Sequence, residues 1–319
     1  MTTLLWRSMR REPPAVAAYA VMLIVVVAWL LLSAAPSLTT ITISLGQKLP
    51  LVMVTIGATL VIISRGIDLS VGAVMALANV LIARGSAGGS LLLWLALAIL
   101  AAVLVGAVNG ALVAYVKLPP LVATLATGSA VTGTALYILP QPGGSVPAWF
   151  SLIPLTLVGP VPLALILMVV VPLVLWYPLR RSRYGNALYA AGGDVASAFS
   201  SGVPVSRTIG TAYVLSSLFA GIAGVFLTMN AGAGDANIGG PFTLNSIAAA
   251  VLGGALLAGG RGTVSGAVAG ALTLSFLTNL LFAVGLNGYW QYVVSGVVLI
   301  LAVAVPNLLS RTRRKVLVA

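Results

Sequence analysis

The sequence predicts an all-α integral membrane protein, and three observations lead there. Of 319 residues, 60% are hydrophobic and 6% charged, with a mean hydropathy of +1.15. An average soluble domain carries roughly 25% charged residues, so this chain lacks the polar groups a water-facing surface needs. Apolar segments of span length recur along the chain. Basic residues gather at alternate segment ends.

The segments are 15–35, 48–64, 67–83, 90–116, 119–139, 161–179, 208–230, 244–260, 263–285 and 289–309. A helix crossing a hydrocarbon core of about 30 Å needs about 20 residues at about 1.5 Å each. The segments lack sustained alternation of period two and exceed barrel-strand length, which argues against a barrel. The first follows Arg7, Arg10 and Arg11 and ends at Ser33-Ala34-Ala35, like a signal peptide. Its apolar run exceeds the roughly 7–15 residues of a signal core, so it is expected to stay as the first span.

Charge placement supports about ten spans with both ends cytoplasmic. With the N-terminus inside, the inner side receives Arg7, Arg10, Arg11, Arg65, Lys117, Arg180, Arg181, Arg183, Arg207, Arg261, Arg311, Arg313, Arg314 and Lys315. The outer side receives only Lys48 and Arg84. This is a strong positive-inside bias. The net charge of +12 is therefore read as an orientation signal and not as a nucleic-acid surface. The whole chain, 1–319, reads as one transmembrane domain.

Composition also removes function classes. There is no Cys and no His. The acids Glu12, Asp68, Asp194 and Asp235 are scattered, and no Gly-rich run ends in Gly-Lys-Ser/Thr. No catalytic pair, metal set or phosphate-cradling loop follows from such residues. The expectation is a non-enzyme that binds no cofactor or metal itself. Ion-coupled carriers place ionisable groups inside their spans, and only Asp68, with Arg65, is a candidate here. The energy source is expected on a partner.

Two polar features interrupt the apolar pattern. The loop 180–207 contains Asp194, which can cap a helix of about two turns, with Gly202 and Pro204 as stop signals. Val195, Ala198 and Phe199 fall on one face of it. That face packs on the protein's own span ends or docks a cytoplasmic partner. The run Ser64-Arg65-Gly66-Ile67-Asp68-Leu69-Ser70-Val71-Gly72 separates two spans by only two residues. It is a capped helix start near the surface or a broken, re-entrant element lining a pathway. Asp68 there pairs with Arg65 or caps a helix starting at Leu69.

Small residues crowd 246–270. Gly253, Gly254, Gly259, Gly260, Gly262 and Gly266 are expected to let helices pack closely. Arg65-Gly66 followed by Ser70-Val71-Gly72-Ala73-Val74 faintly echoes Arg261-Gly262 followed by Ser265-Gly266-Ala267-Val268. In so Gly- and Ala-rich a chain, chance explains that echo more readily than an internal repeat.

Three blocks resemble a known family. Gly57-Ala58-Thr59-Leu60-Val61-Ile62-Ile63 with the Ser64–Gly72 run resembles a signature of membrane permease subunits of ribose-type bacterial ABC importers. Tyr184-Gly185-Asn186-Ala187-Leu188-Tyr189-Ala190-Ala191-Gly192-Gly193-Asp194, with Ala196 and Ser200-Ser201-Gly202-Val203, is similar to that family's ATPase-contacting loop. Ile247–Gly254 and Leu257–Gly262 resemble its third block. Two departures stand out: Arg65 where Gly is more usual, and Thr243-Leu244-Asn245-Ser246 where many relatives have Glu-Leu-Asp-Ala.

The resemblance implies an inner-membrane subunit moving a pentose or hexose, with branched-chain amino acids or nucleosides as alternative cargo. It implies a cytoplasmic ATPase holding ATP and magnesium, and a second permease, identical or homologous. It also implies a periplasmic or lipid-anchored sugar-binding protein. Gly185, Ala190, Ala191, Gly193, Asp194, Ala196, Phe199 and Gly202 would couple to the ATPase, and Gly66, Asp68, Leu69, Ser70 and Gly72 would mark a pathway or gate. A stand-alone secondary carrier is the reading of a different class; it predicts transport without nucleotide.

Overall fold

The computed structural model describes residues 13–33, 36–86, 88–286 and isolated positions between 289 and 300. Twelve α-helices are described: α1 (Pro13–Leu32), α2 (Leu38–Ile63), α3 (Val71–Ser86), α4 (Leu91–Ala114), α5 (Pro120–Ile138), α6 (Ala148–Leu152), α7 (Leu163–Arg181), α8 (Arg183–Gly193), α9 (Val195–Ser200), α10 (Val205–Ala231), α11 (Gly240–Leu252) and α12 (Val264–Ala283). A two-stranded hairpin, β1 (Leu157–Val158) with β2 (Val161–Pro162), sits between α6 and α7.

Seven of these helices are long and apolar enough to cross a membrane: α1, α2, α4, α5, α7, α10 and α12. Helices α3 and α11 are apolar but shorter. The expected span 289–309 lies almost wholly outside the described residues, as do the charged ends on which the terminal orientation rested. Burial is arranged as lipid requires. Leu92, Leu100 and Leu104 of α4 and Leu173 and Val174 of α7 are exposed, while Thr55, Thr59, Asn79, Asn109 and Ser216 are buried. An apolar exterior around hydrogen-bonded polar groups suits a chain solvated by hydrocarbon.

Helices α2 and α10 form the buried centre. Ser37 caps α2 by accepting the Thr40 N–H. Pro50 lies inside α2 and cannot donate to the Gly46 carbonyl four residues back. The Asn230 side-chain amide of α10 donates to that carbonyl instead, at 3.1 Å. A helix-breaking residue is thus tolerated because a neighbouring helix satisfies the freed acceptor. At Gly57 a Cβ would lie 2.8 Å from the Ser216 carbonyl oxygen, so only glycine lets α2 and α10 approach this closely.

Three expectations about spans are corrected. The segment 48–64 is the later part of a helix that begins at Leu38. Lys48 therefore lies mid-helix and 2% exposed, not at the outer end of a span. The segment 67–83 becomes a helix only from Val71, because 64–70 is a turn followed by irregular chain. The segment 244–260 ends its helix at Leu252, and Gly254, Gly259, Gly260 and Gly262 all take positive φ. Hydropathy treats such glycines as span residues, but their backbone turns a loop.

Candidate coupling and translocation site

The first helix break is held by side chains. Helix α2 ends at Ile63, and Arg65 turns the chain with φ of 66°. The Gly66 N–H then reaches back to the Val61 carbonyl at 2.9 Å, and the Arg65 N–H to Ile62 at 3.0 Å. Arg65 thus occupies a left-handed position that glycine would fill without strain. That explains physically why Gly suits this place and Arg is the departure.

Asp68 is 2% exposed and forms no pair with Arg65 among the described residues. Its Oδ1 accepts the Ser70 N–H at 3.0 Å and the Ser70 hydroxyl at 2.6 Å. Its Oδ2 accepts the Ser216 hydroxyl of α10 at 2.9 Å. Asn109 Nδ2 of α4 donates to Ser70 Oγ at 2.8 Å, and Thr127 of α5 donates to Asn109 Oδ1. The Leu69 N–H donates to Thr124 Oγ1 of α5 at 3.0 Å. Asp68 neither pairs with Arg65 nor caps a helix at Leu69, since α3 starts at Val71. The segment carrying Gly66, Asp68, Leu69 and Ser70 is tied to α4, α5 and α10. Gly72 meets the Gly239 carbonyl, where a Cβ would come within 2.5 Å.

The second break, 253–263, is held by backbone shape. Gly253 and Gly266 let α11 and α12 meet: a Cβ on Gly253 would sit 2.3 Å from the Gly266 oxygen. Gly254, Gly259, Gly260 and Gly262, expected to pack helices, lie in the loop instead. Thr263 restarts the chain as α12 by capping the Gly266 N–H. The Arg65-Gly66 and Arg261-Gly262 stretches, weakly alike in sequence, both lie in helix breaks.

The two breaks touch. The Gly260 N–H donates to the Ile63 carbonyl at 2.9 Å. The C-terminal end of α8 wedges against both: a Cβ on Gly192 would lie 1.7 Å from the Ile63 oxygen and 2.8 Å from the Gly260 nitrogen. The Tyr189 hydroxyl donates to the Gly262 carbonyl at 2.8 Å. A Cβ on Gly260 would meet Gly193 Cα at 2.7 Å.

Helix α8 is an element the sequence reading did not anticipate; Ser182 caps it and Asp194 closes it. Gly185, Leu188 and Ala191 on it are buried, while Ala190 and Gly193 are exposed. Asp194 also starts α9 by accepting the Ser197 N–H at 2.7 Å. That backbone hydrogen bond, with one from the Ser197 side chain, holds the exposed carboxyl below the usual carboxylate range. Burial pushes the Tyr184 hydroxyl upward.

The expected face of α9 divides. Ala198 is buried against Ala191 and Val205, whereas Val195 and Phe199 are exposed, Phe199 by 74%. Ala196 is exposed too, and Gly202 ends the helix at φ of 76°. The unit therefore braces itself on α8 and α10 with one side and presents an aromatic ring with the other.

A cavity of about 290 Å³ lies among α2, α11 and α12. Lys48 and Asn245 both line it. The structure thus gathers the helix breaks, Asp68 and Asp194 around one assembly, and sets Lys48 apart in a separate hollow. Sequence reasoning did not place Lys48 in a site; its one signal was a lone lysine at the start of an apolar run.

These features define a multi-pass helical membrane protein with broken inner helices and a braced loop between two of its long helices. The chain matches the model of the branched-chain amino acid transport system permease component family over residues 40–303, and it belongs to that family. It is 35% identical over 266 residues to the ribose import permease protein RbsC of Escherichia coli K12, covering 80% of this chain and 81% of the relative. It is 34% identical over 266 residues to the D-allose transport system permease protein AlsC of the same strain, covering 82% and 81%. It is 35% identical over 269 residues to a probable ABC transporter permease protein of Sinorhizobium fredii, covering 83% and 80%. No solved structure matches the chain significantly. The chain is a multi-pass inner-membrane permease of the ABC importer class, a transport subunit and not an enzyme.

Proposed function

We propose that this chain is the membrane-spanning subunit of an ATP-driven importer that moves a pentose or hexose into the cytoplasm. A separate ATPase subunit holds ATP and magnesium, a second permease completes the path, and a periplasmic or lipid-anchored binding protein delivers the sugar. The sugar reading is supported by the ribose and allose permeases among the relatives. The family description names branched-chain amino acids instead, which makes them the alternative cargo.

One observation carries the coupling assignment. Phe199 stands exposed on a short helix whose other side is anchored, and the preceding helix α8 wedges against both breaks at Gly192. A partner gripping Phe199 and Val195 would move α8, and with it the Ile63–Gly260 junction. Nucleotide state and access state are then linked through one contact, as coupling requires. The chain contributes no bond-making step.

The test is a mild-detergent purification of tagged chain from its native host, with mass spectrometry of what accompanies it. An ATP-binding subunit and a sugar-binding protein are expected. A chain that purifies alone and transports in liposomes without ATP overturns the importer reading in favour of a secondary carrier.

A further inference from the structure

Lys48 is a buried lysine in a cavity whose described lining holds no carboxylate. Gln47, Lys48, Asn245, Ser275, Thr278 and Asn279 line the hollow alongside apolar side chains from the same helices. Its volume of about 290 Å³ is near the low end of the roughly 300–1,000 Å³ of small-molecule sites. Lys48 Nζ donates to Asn279 Oδ1 at 3.2 Å and lies 4.4 Å from the Phe276 ring centroid. Asn279 is itself fixed, its Nδ2 donating to Ser44 Oγ at 3.1 Å.

An ammonium has three donors. Among the described residues only Asn279 accepts from this one. The described acids are engaged elsewhere: Asp68 with Ser70 and Ser216, Asp194 with Ser197 and Asp235 with Asn237. An amide oxygen and a ring face compensate a buried cation only in part. The neighbouring amides and hydroxyls can bond sugar hydroxyl groups in both directions. Lys48 is also deep in the molecule, fifteen residues before the end of α2 and so about 22 Å from the Ile63 break at about 1.5 Å per residue.

We propose that this cavity is a cargo-contacting subsite, and that Lys48 sets it to take a sugar carrying an anionic group, a carboxylate or a phosphate. The proposal rests on the importer reading above. The hydroxyls of such a cargo meet the amide and hydroxyl walls, and its anion supplies the counter-charge that the walls lack. Lys48 is here a binding residue and performs no chemistry.

The test uses the full importer, permease with its ATPase and binding protein, in proteoliposomes. Uptake of galacturonate and ribose 5-phosphate is compared with that of galactose and ribose. At least tenfold preference for one of the anionic probes over its neutral counterpart is expected. Which of the two is taken up identifies carboxylate or phosphate. Lys48→Gln should bring the ratio to near one, and Lys48→Arg should keep it, with both variants retaining the ATPase on purification. Preference for the neutral sugars, uptake of neither anionic probe, or a ratio that Lys48→Gln leaves unmoved overturns the proposal. Omitting ATP reports on the importer reading separately: anionic uptake that persists without ATP keeps the charge preference and overturns the ATP-driven reading.

Discussion

The two helix breaks do the same mechanical job with different chemistry. Residues 64–70 are held by side chains: Asp68 and Ser70 reach Ser216 and Asn109 on two other helices. Residues 253–263 have no comparable network; positive-φ glycines shape them and a backbone hydrogen bond joins Gly260 to Ile63. A break built from side chains can be weakened one bond at a time. A break built from backbone is strained wherever a Cβ is added to one of its positive-φ glycines. Helix α8 presses on both, so their common surface at Gly192 is the most sensitive point.

Gly192→Ala should have the largest effect. Its methyl would fall 1.7 Å from the Ile63 oxygen, and backbone cannot give way cheaply. A loss of about 3 kcal/mol is expected, the upper range for overpacking, read as a lower melting temperature in detergent. Uptake should fall while the ATPase still copurifies. Unchanged uptake would show that α8 does not transmit through the junction.

Asp68→Ala comes next. It leaves the Ser70 and Ser216 donors without their acceptor, at about 2 kcal/mol on the scale of unsatisfied buried groups. Asp68→Asn should lose less, because the amide oxygen can still accept. Equal losses in the two variants would mean that the charge, not the hydrogen-bond geometry, holds this break.

Gly260→Ala should cost at least about 1–2 kcal/mol, the strain of a left-handed L-residue at φ of 71°, because its methyl would also crowd Gly193 Cα at 2.7 Å. Arg65→Gly is the mirror experiment at φ of 66°. Relief of about 1–2 kcal/mol is partly offset by the greater freedom of glycine in the unfolded chain, about 0.5–1 kcal/mol, so a net gain of about 0.5 kcal/mol is expected. A loss of stability would mean that the arginine side chain contributes more than its backbone strain removes.

The smallest effect is on pH. The Asp194 carboxyl is held below its ordinary range by the Ser197 N–H. Its capping contribution is therefore fully present above about pH 4, the unfolded carboxylate range, and lost as pH falls further through the lowered folded value. Hydrogen exchange in α9 should quicken in that acid window, and Asp194→Asn should remove the pH dependence while keeping the cap.

The loop 180–207 was partly legible because its signals are local. Asp194, Gly202 and Pro204 are capping and stopping residues, and α9 forms between them. The split of its face was not legible, since only the fold brings Ala191 and Val205 against Ala198. The α11 boundary was hidden because Gly253–Gly260 reads as apolar, whereas positive φ is a tertiary property. Lys48 reads as the outer end of the span 48–64, because a lone lysine at the edge of an apolar run resembles a span end. Its partner Asn279 is 231 residues away, and Asn230, which satisfies the Gly46 carbonyl freed by Pro50, is 184 residues from that carbonyl.

The central claim is that α9 is where a cytoplasmic ATPase grips this permease. The most direct measurement is copurification of the ATP-binding subunit with Phe199→Asp, compared with the unaltered chain. Phe199 is exposed, so the variant should insert and fold normally. The account predicts that the ATPase accompanies the unaltered chain and is lost from the variant. An ATPase that stays with the folded variant at the unaltered level would contradict it.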